Sequence, residues 1–332
     1  MLIISIICES NPDVSIIIPL YNQAQFLIAA VRSIELQSFQ NYEIIVIDDQ
    51  STDNAQEVIK HLQQLNNRIL NILLTENQGP FLARTKGIIN AKGKYIMFVD
   101  ADDYLNSLNI LQQSFELAEE YSADVVHFNE KLLETTGEQA FTWANPLNDS
   151  IQGKYFGLTQ WMLNGQGTAL HGKLLLKNQL LRALVLIENQ NQNIFSIKLY
   201  CYEDILLMTA FYVLQEKYVP LLEFGYTYNV RTNSISKSSI AQYDKFIKRV
   251  DDSLIVYQII KQMLAGLSDE LQRNIHYQFF KYMKSSILEI ALYHQDDAEK
   301  KTFICNKLIR SNILIEEFQN KFKSELCEGI AQ

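Results

Sequence analysis

The sequence predicts an α/β fold, with a mostly parallel sheet flanked by helices and a helical region after it. In the first half, short β-branched apolar runs alternate with segments of helical periodicity. These runs are apolar throughout, which is typical of parallel strands covered on both faces. After about residue 240 the periodicity is helical only, and no proline occurs after Pro220.

The individual elements follow from these patterns. The predicted strands are 14–20, 42–48, 69–75, 95–100 and 124–130, and the predicted helices between them are 23–37, 54–66, 82–91 and 107–121. Asn22 and Asn54 are predicted as helix caps, because Gln25 and Glu57 follow three residues later, the spacing of a capping box. Polar residues follow three of the strands, so they should meet at one edge of the sheet, where ligands of such folds bind.

The composition excludes several classes of protein. The 332 residues carry a net charge of −9, which argues against nucleic acid as the main partner. The four cysteines are far apart and form no CxxC pair, which favours a reducing compartment over a zinc site or a disulfide framework. The apolar start, "MLIISIIC", is too short to span a bilayer, so we expect a soluble, cytoplasmic protein.

The stretch "YIMFVDADDY" places three carboxylates, those of Asp100, Asp102 and Asp103, directly after a buried strand. In extended backbone, residues two apart face the same way, so Asp100 and Asp102 can point together. Oxygen ligands of this kind suit Mg²⁺ or Mn²⁺, which substrate phosphates and water would complete. The alternative is a solvated turn in which Asp103 caps the next helix.

A second acidic group follows the second strand, in "IIVIDDQSTDN". Asp48 or Asp49 could accept a hydrogen bond from a nucleotide base or a ribose hydroxyl. Alternatively, one aspartate caps the helix near residue 54 and the other is solvated. Tyr21, just after the first strand, could stack on a base or be a half-buried aromatic side chain.

Two long stretches carry a resemblance to a known family. "VSIIIPLYNQAQFLIAAVRSIELQSFQNYEIIVIDDQSTDN" and "NQGPFLARTKGIINAKGKYIMFVDADDYL" strongly resemble family 2 glycosyltransferases with the GT-A fold. The resemblance covers residues 13–105 closely and extends loosely to about 235 through "HGKLLLK", "YEDILL" and "YNVRTNSIS". It implies a GT-A domain over 1–237, with a donor half at 13–130 and an acceptor half at 131–237.

The resemblance also implies a reaction, which is inverting transfer of a sugar from a nucleotide-diphospho-sugar with Mn²⁺ or Mg²⁺, and by the habit of the family the expected donor is a UDP-sugar. The residues implied for the donor are Pro19 and Tyr21 in the base pocket, Asp48 and Asp49 beside the base, Arg84 near the nucleotide, Asp100 on ribose or metal, and Asp102 as the direct metal ligand. The sequence departs from the family at Thr85-Lys86, where an asparagine followed by a small residue is usual.

The second half supplies the residues that face the acceptor. The resemblance implies that Asp204 in "CYEDILL" is the general base, with its neighbour Glu203 as second choice. On the residues alone, Asp204 could instead cap a helix. His171 and Lys173 are implied near the donor sugar and acceptor, and Arg231 near the diphosphate, where an arginine suits phosphate. Trp143 and Trp161 could stack on sugars or belong to the core.

The helical region at 238–332 lies outside the stretches that carry this resemblance. Its apolar stripe predicts packing against the first domain or against a second copy in a homodimer. Peripheral association with the inner face of the membrane is the competing interpretation. The resemblance of the first half implies that the acceptor is a glycan or glycolipid in the synthesis of a bacterial surface polysaccharide. The alternative function is a catalytically inactive, nucleotide-sugar-binding subunit of a glycan assembly complex.

Overall fold

The computed structural model of the protein describes residues 11–134, 137–141, 153–159, 168–230, 243–279 and 281. The strands are β1 (Val14–Leu20), β2 (Tyr42–Asp48), β3 (Ile69–Leu73), β4 (Tyr95–Phe98), β5 (Tyr104–Leu105), β6 (Val125–Glu134), β7 (Gly137–Phe141), β8 (Lys173–Leu176) and β9 (Tyr218–Asn229). The helices are α1 (Ala24–Glu35), α2 (Ala55–Leu65), α3 (Pro80–Asn90), α4 (Ile110–Tyr121), α5 (Lys177–Gln190), α6 (Glu203–Leu214) and α7 (Tyr243–Leu264).

The strands of the described residues form one sheet in the order β3-β2-β1-β4-β8-β6-β9-β5, with β7 paired to β6. Strands β1 to β4 pair in parallel, as the sequence predicts. The apolar side chains of β1, β2 and β4 are buried on both faces, and Ile16, Ile17 and Ile18 have no exposed surface, whereas Leu70 and Leu73 of β3 are exposed. The carboxyl ends of β1, β2 and β4 therefore meet at one edge of the sheet.

The second half of the sheet is mixed. Strand β8 lies antiparallel between β4 and β6, and β9 runs parallel to β6. The short strand β5, which directly follows the acidic loop after β4, pairs antiparallel with β9 at the far edge. The end of β9 is thereby held beside the loop at residues 100–103.

The starts of α1 and α2 differ from the predicted capping. Helix α1 begins after Gln23, and Asn22 adopts a left-handed backbone (φ +53°), with its side chain accepting from the Thr52 backbone N–H at 2.7 Å. The side chain of Asn54 makes no capping bond. Asp53 caps both helices instead, because its carboxylate accepts from the N–H groups of Ala24 (3.0 Å) and Ala55 (3.2 Å).

Helix α7 packs against α5 and α6. Its buried residues Val256, Tyr257 and Ile260 share one hydrophobic cluster with Phe98 of β4 and Ile205 of α6. A further helical segment spans 269–279. No helix in the described part of the chain is long and apolar enough to cross a membrane. The apolar start and residues 282–332 lie outside the described residues.

Candidate active site

The acidic loop after β4 is anchored by Asp103. Its side chain is 1% exposed, and its oxygens accept from the Tyr226 hydroxyl at 2.7 Å and the Asn229 backbone N–H at 2.8 Å. The Asn229 amide also donates to the Asp102 carbonyl at 2.6 Å. Helix α4 has Asn109 at its cap position, so the suggestion that Asp103 caps it is wrong. Asp103 instead fastens the loop to the end of β9.

Burial and nearby charge act together on this loop. Desolvation, followed by the charge of Asp100, raises the pKa of Asp103 to about 8. His171 and the hydrogen bond from Asn229 oppose that rise, and Asp102 adds to it. The buried carboxyl of Asp103 therefore keeps its proton to a higher pH than a free aspartate, while Asp100 and Asp102 are the partly exposed acids of the loop.

Arg84, on α3, joins the loop after β4 to the start of α6. Its guanidinium donates to Asp100 at 2.8 Å and to Glu203 at 2.6 Å, and its side chain is only 11% exposed. Although desolvation lowers the pKa of Arg84, the charges of Asp100 and Glu203 outweigh it and raise that pKa. The Arg84 guanidinium thus binds two acids, Asp100 and Glu203, that are 103 residues apart in the sequence.

Glu203 and Asp204 occupy the first turn of α6, where the helix dipole favours carboxylates. Tyr202, at the cap position before them, adopts a left-handed backbone (φ +66°). Desolvation raises the pKa of Glu203 to about 7 against the opposing charge of Arg84. Desolvation also raises the pKa of Asp204, although the N–H of Ile205 donates to its carboxylate at 2.7 Å. Asp204 interacts electrostatically with Arg84, His171 and Asp100, so it belongs to the same polar cluster.

His171 lies over two tyrosines of β9. Its ring is nearly parallel to those of Tyr226 (centroids 4.9 Å apart) and Tyr228 (5.5 Å), and its Nδ1 bonds the Glu130 carboxylate at 2.6 Å. Desolvation lowers the pKa of His171, but Glu130, Asp100 and Asp103 outweigh it and raise that pKa. His171 thus faces the acidic loop from the second half of the chain.

The side chain of Lys173 stabilises the turn that carries His171. The buried ammonium of Lys173 donates to the carbonyls of Ala169 (2.7 Å) and His171 (3.2 Å). Desolvation lowers its pKa to about 8, against the charges of Glu130 and Asp204. Gly172 has a left-handed backbone (φ +68°), and a Cβ there would lie 2.0 Å from the Glu130 carboxylate. The ammonium of Lys173 therefore binds the backbone of the turn and is not exposed at its surface.

Asp48 and Asp49 are both buried and both bind their own chain. Asp48 accepts from the Ser51 backbone N–H at 2.8 Å and from the side chain of Gln56. Asp49 accepts from the N–H groups of Gln78 (2.6 Å) and Gly79 (2.8 Å), immediately before α3. Desolvation raises the pKa of Asp49, and those two N–H groups oppose the rise. Neither aspartate is solvated, and neither caps α2, in contrast to the alternative drawn from the sequence.

The remaining predicted residues lie at the edge of the site or outside the described residues. Tyr21 is 45% exposed just after β1, and Pro19 is half-buried within β1. Arg231, Trp143 and Trp161 lie outside the described residues. The structure therefore brings Asp100, Asp103, Arg84, His171, Glu203 and Asp204 into one cluster, with Asp102 in its loop and Tyr21, Pro19, Asp48 and Asp49 at the neighbouring strand ends.

The donor set of this cluster fits a divalent cation only in part. In the described ranges, no group of three or more His, Cys, Asp or Glu side chains could hold a metal ion by itself. Asp100 and Asp102 are nevertheless partly exposed and supply hard oxygen donors two residues apart on one loop. Mg²⁺ and Mn²⁺ accept such incomplete protein shells, because substrate phosphates and water supply the other ligands.

Four residues of the cluster, Tyr226, Tyr228, Asn229 and Glu130, were not predicted from the sequence as site residues. Tyr226 and Asn229 anchor Asp103, and Glu130 pairs with His171. Tyr226 and Tyr228 show the two-residue spacing of one strand face, which was the available signal for the aromatic platform. Nothing in the sequence pairs Glu130 with a histidine 41 residues away.

Comparison with known proteins gives consistent matches. The family described as "Glycosyl transferase family 2" matches residues 15–157. "Glycosyltransferase GlyG" of Streptococcus pneumoniae is 28% identical over 306 residues, covering 89% of this chain and 94% of that protein. The "GalNAc(5)-diNAcBac-PP-undecaprenol beta-1,3-glucosyltransferase" of Campylobacter jejuni is 39% identical over 98 residues, covering 29% of this chain and 31% of that protein.

Two solved structures share the fold at low sequence identity. S. aureus TarS 1–349 in complex with UDP-GlcNAc has a TM-score of 0.53 and 14% identity, covering 96% of this chain and 92% of TarS 1–349. Mannosyltransferase PcManGT from Pyrobaculum calidifontis, in complex with GDP-Man and Mn²⁺, has a TM-score of 0.54 and 13% identity, covering 94% and 83%. Both likenesses agree with the GT-A architecture predicted from the sequence.

Proposed function

Because the chain belongs to glycosyl transferase family 2 through its residues 15–157, we propose that it transfers a sugar, with inversion, from a nucleotide-diphospho-sugar to an acceptor hydroxyl. One observation carries the proposal: Arg84 holds Asp100, from the loop after β4, and Glu203, beside Asp204, in a single cluster. That loop offers carboxylate oxygens to a divalent cation that would bind the donor diphosphate, and Asp204 suits removal of a proton. Transfer needs both functions in one place.

The donor lies, in this proposal, along the carboxyl ends of β1, β2 and β4. Tyr21 and Pro19 border the base, and Asp49, with Asp48 behind it, shapes the loop that contacts the base. Asp49 does so through the N–H groups of Gln78 and Gly79, which it holds at 2.6 and 2.8 Å. Asp100, oriented by Arg84, faces the ribose and diphosphate.

Asp102 and Asp100 would hold the divalent cation. When bound, the cation supplies Lewis-acid neutralisation of the charge that develops on the leaving diphosphate. The chain's own contribution is orientation, because Asn229 fixes the Asp102 carbonyl and Arg84 fixes one oxygen of Asp100. Arg231 would contact the diphosphate from the segment that follows β9.

Asp204 acts in this proposal as the general base that takes the proton of the attacking acceptor hydroxyl. Its raised pKa suits that task, because a less acidic carboxylate accepts a proton more readily. Glu203, bound to Arg84, positions the first turn of α6. His171 borders the acceptor side. Its ring is held by Glu130, and the turn that carries it is stabilised by Lys173.

We take UDP-sugars as the first donor class and a bacterial surface glycan as the acceptor. The undecaprenol-linked glycan in the name of the Campylobacter relative supports the acceptor class, whereas the two fold neighbours bind different donors, UDP-GlcNAc in TarS and GDP-Man in PcManGT, so the screen below includes both nucleotides. An inactive nucleotide-sugar-binding subunit is the competing function. It predicts donor binding without turnover.

Donor binding should depend on metal and on Asp102. A thermal-shift screen of UDP-, GDP-, CMP- and dTDP-sugars, each with and without Mn²⁺, should raise Tm for one nucleotide class, because bound donor stabilises the native state. Asp102→Ala should weaken Mn²⁺-dependent donor binding by about tenfold or more, since one metal ligand is lost. Asp13→Ala is the control, because Asp13 lies before the amino end of β1, away from the strand ends of the site, where its carboxylate accepts a local bond from the Asn41 side chain at 2.6 Å.

Transfer assays with the selected donor then separate the two functions. Turnover with any glycan acceptor supports the transferase. Metal-dependent donor binding with neither transfer nor donor hydrolysis across the acceptor panel would favour the inactive subunit. No Tm change with any nucleotide sugar would contradict both.

The pH profile should show the raised pKa of Asp204. Because only the ionised carboxylate can accept a proton, kcat/KM should fall as pH decreases through an apparent pKa clearly above the ordinary 3.8. The measurement uses saturating Mn²⁺ from about pH 4 to 9, with Tm recorded at each pH as the control for folding. A profile that stays flat over the whole range in which the protein is folded would argue against a carboxylate base with a raised pKa.

A further inference from the structure

The loop at 199–202 leads directly into Glu203 and Asp204, and it is held from two sides. On one side, Gly79 of the loop before α3 lies so close that a Cβ there would be 2.8 Å from the Leu199 carbonyl oxygen. On the other side lies α7, from the C-terminal helical region. The position of the acidic pair therefore depends on contacts outside its own helix.

Asp252 of α7 makes the contacts on that second side. Its side chain has no exposed surface, and one carboxylate oxygen accepts from the backbone N–H groups of Tyr200 (2.9 Å) and Cys201 (3.3 Å). The other oxygen accepts from Lys248, one turn earlier in the same helix. One oxygen of this fully buried carboxylate thus bonds the backbone of the 199–202 loop.

These bonds restrain a conformation that the loop would not keep by itself. Tyr202 has a left-handed backbone (φ +66°), which costs a non-glycine residue about 1 kcal/mol or more. The Tyr202 ring lies 5.7 Å from the Arg249 guanidinium and 6.1 Å from the Phe279 ring, both from the C-terminal helices. The same region thus supplies both the polar and the aromatic contacts that hold the residues before Glu203.

From these contacts we infer that Asp252 is a positioning residue for sugar transfer, acting through the 199–202 loop on Glu203 and Asp204. The inference rests on the proposed function. It makes the C-terminal helical region part of the active-site scaffold. Loss of Asp252 should displace the general base while leaving the strand ends that bind the donor in place.

The test compares Asp252→Ala, Asp252→Asn and Ser253→Ala in the full chain. Asp252→Ala should lower kcat by about tenfold to a hundredfold, with KM for the donor within about twofold, because misplaced catalytic groups affect mainly kcat. Asp252→Asn should recover most of the rate, since its amide oxygen still accepts from the loop. Ser253→Ala should match wild type, because the buried Ser253 hydroxyl donates only to Val250 of its own helix.

A second readout does not need turnover. Burial raises the pKa of the Cys201 thiol to about 12, so it should react slowly while the loop is held. With Cys8, Cys305 and Cys327 replaced by serine, Asp252→Ala should speed thiol labelling of Cys201 by about tenfold. If wild type shows no transfer, the proposed function fails, and labelling still tests whether Asp252 holds the loop.

Two results would overturn the inference. One is a kcat for Asp252→Ala equal to that of Ser253→Ala. The other is a parallel loss of donor affinity, Tm and rate that the asparagine does not rescue, which would mean a general structural role. If the alanine variant does not fold, Asp252→Leu, which fills the same volume without the acceptor, carries the same comparison.

Discussion

Asp204→Asn should lower kcat by about 10²–10⁴-fold, the usual contribution of a general base. The amide has nearly the same size and can still accept from the Ile205 N–H, which now bonds the carboxylate at 2.7 Å. It cannot take a proton from the acceptor hydroxyl. Donor affinity, measured by titration with Mn²⁺ present, should stay within about twofold of wild type, since the donor contacts of this proposal lie on the other strand ends.

Glu203→Gln is the matched control for that result. Its amide keeps an oxygen that can accept from Arg84, where the carboxylate now accepts at 2.6 Å. We therefore expect a smaller loss of rate than with Asp204→Asn. If Glu203→Gln were the inactive variant and Asp204→Asn kept its kcat, the base would have to be reassigned to Glu203.

Arg84→Met should have the largest effect on stability. The variant leaves Asp100 and Glu203 without the cation that binds both, and Glu203 is only 12% exposed. Removing one partner of a buried ion pair typically costs about 3–5 kcal/mol, because the remaining charge is uncompensated. The free energy of unfolding should be measured by urea denaturation. Arg84→Lys keeps the charge but cannot form both bonds, so it should be intermediate.

The loss should be partly reversible by removing the charge that Arg84 leaves behind. In Arg84→Met/Glu203→Gln, no ionised carboxylate remains at residue 203, so part of the stability should return. Acidification should also help Arg84→Met. Burial already raises the pKa of Glu203 from 4.5 to about 7, and losing Arg84 raises it further, so the native state binds the proton more tightly than the unfolded state. The free energy of unfolding of Arg84→Met should thus fall as pH rises from 4.5, the ordinary pKa of glutamate, through the raised pKa of Glu203. An Arg84→Met variant within about 1 kcal/mol of wild type would contradict the assigned role.

The parallel half of the fold could be predicted because its signals are local. Each of β1, β2 and β4 is a short apolar run, and the buried residues of the structure match these runs. The acidic groups at the strand ends follow from the same pattern. Only the exact use of each side chain differs: Asp53, rather than Asn22 or Asn54, caps the first two helices.

The contacts that assemble the site could not be predicted, because they join residues far apart in the chain. Arg84 and Glu203 are 119 residues apart, and Asp103 and Tyr226 are 123 apart. No periodicity links such pairs, and their geometry depends on the packing of the whole sheet. The C-terminal helices likewise gave a clear helical pattern without any indication that Asp252 binds the loop before Asp204.

The interleaved strand order also limits how this protein can evolve. Strand β8 from the second half of the chain sits next to β4, and β5 from the first half closes the sheet against β9. A gene rearrangement that exchanged one half for that of a relative would break pairings inside a single sheet. New specificities should therefore arise through point substitutions and loop insertions, and recombination between distant relatives should seldom yield a folded hybrid.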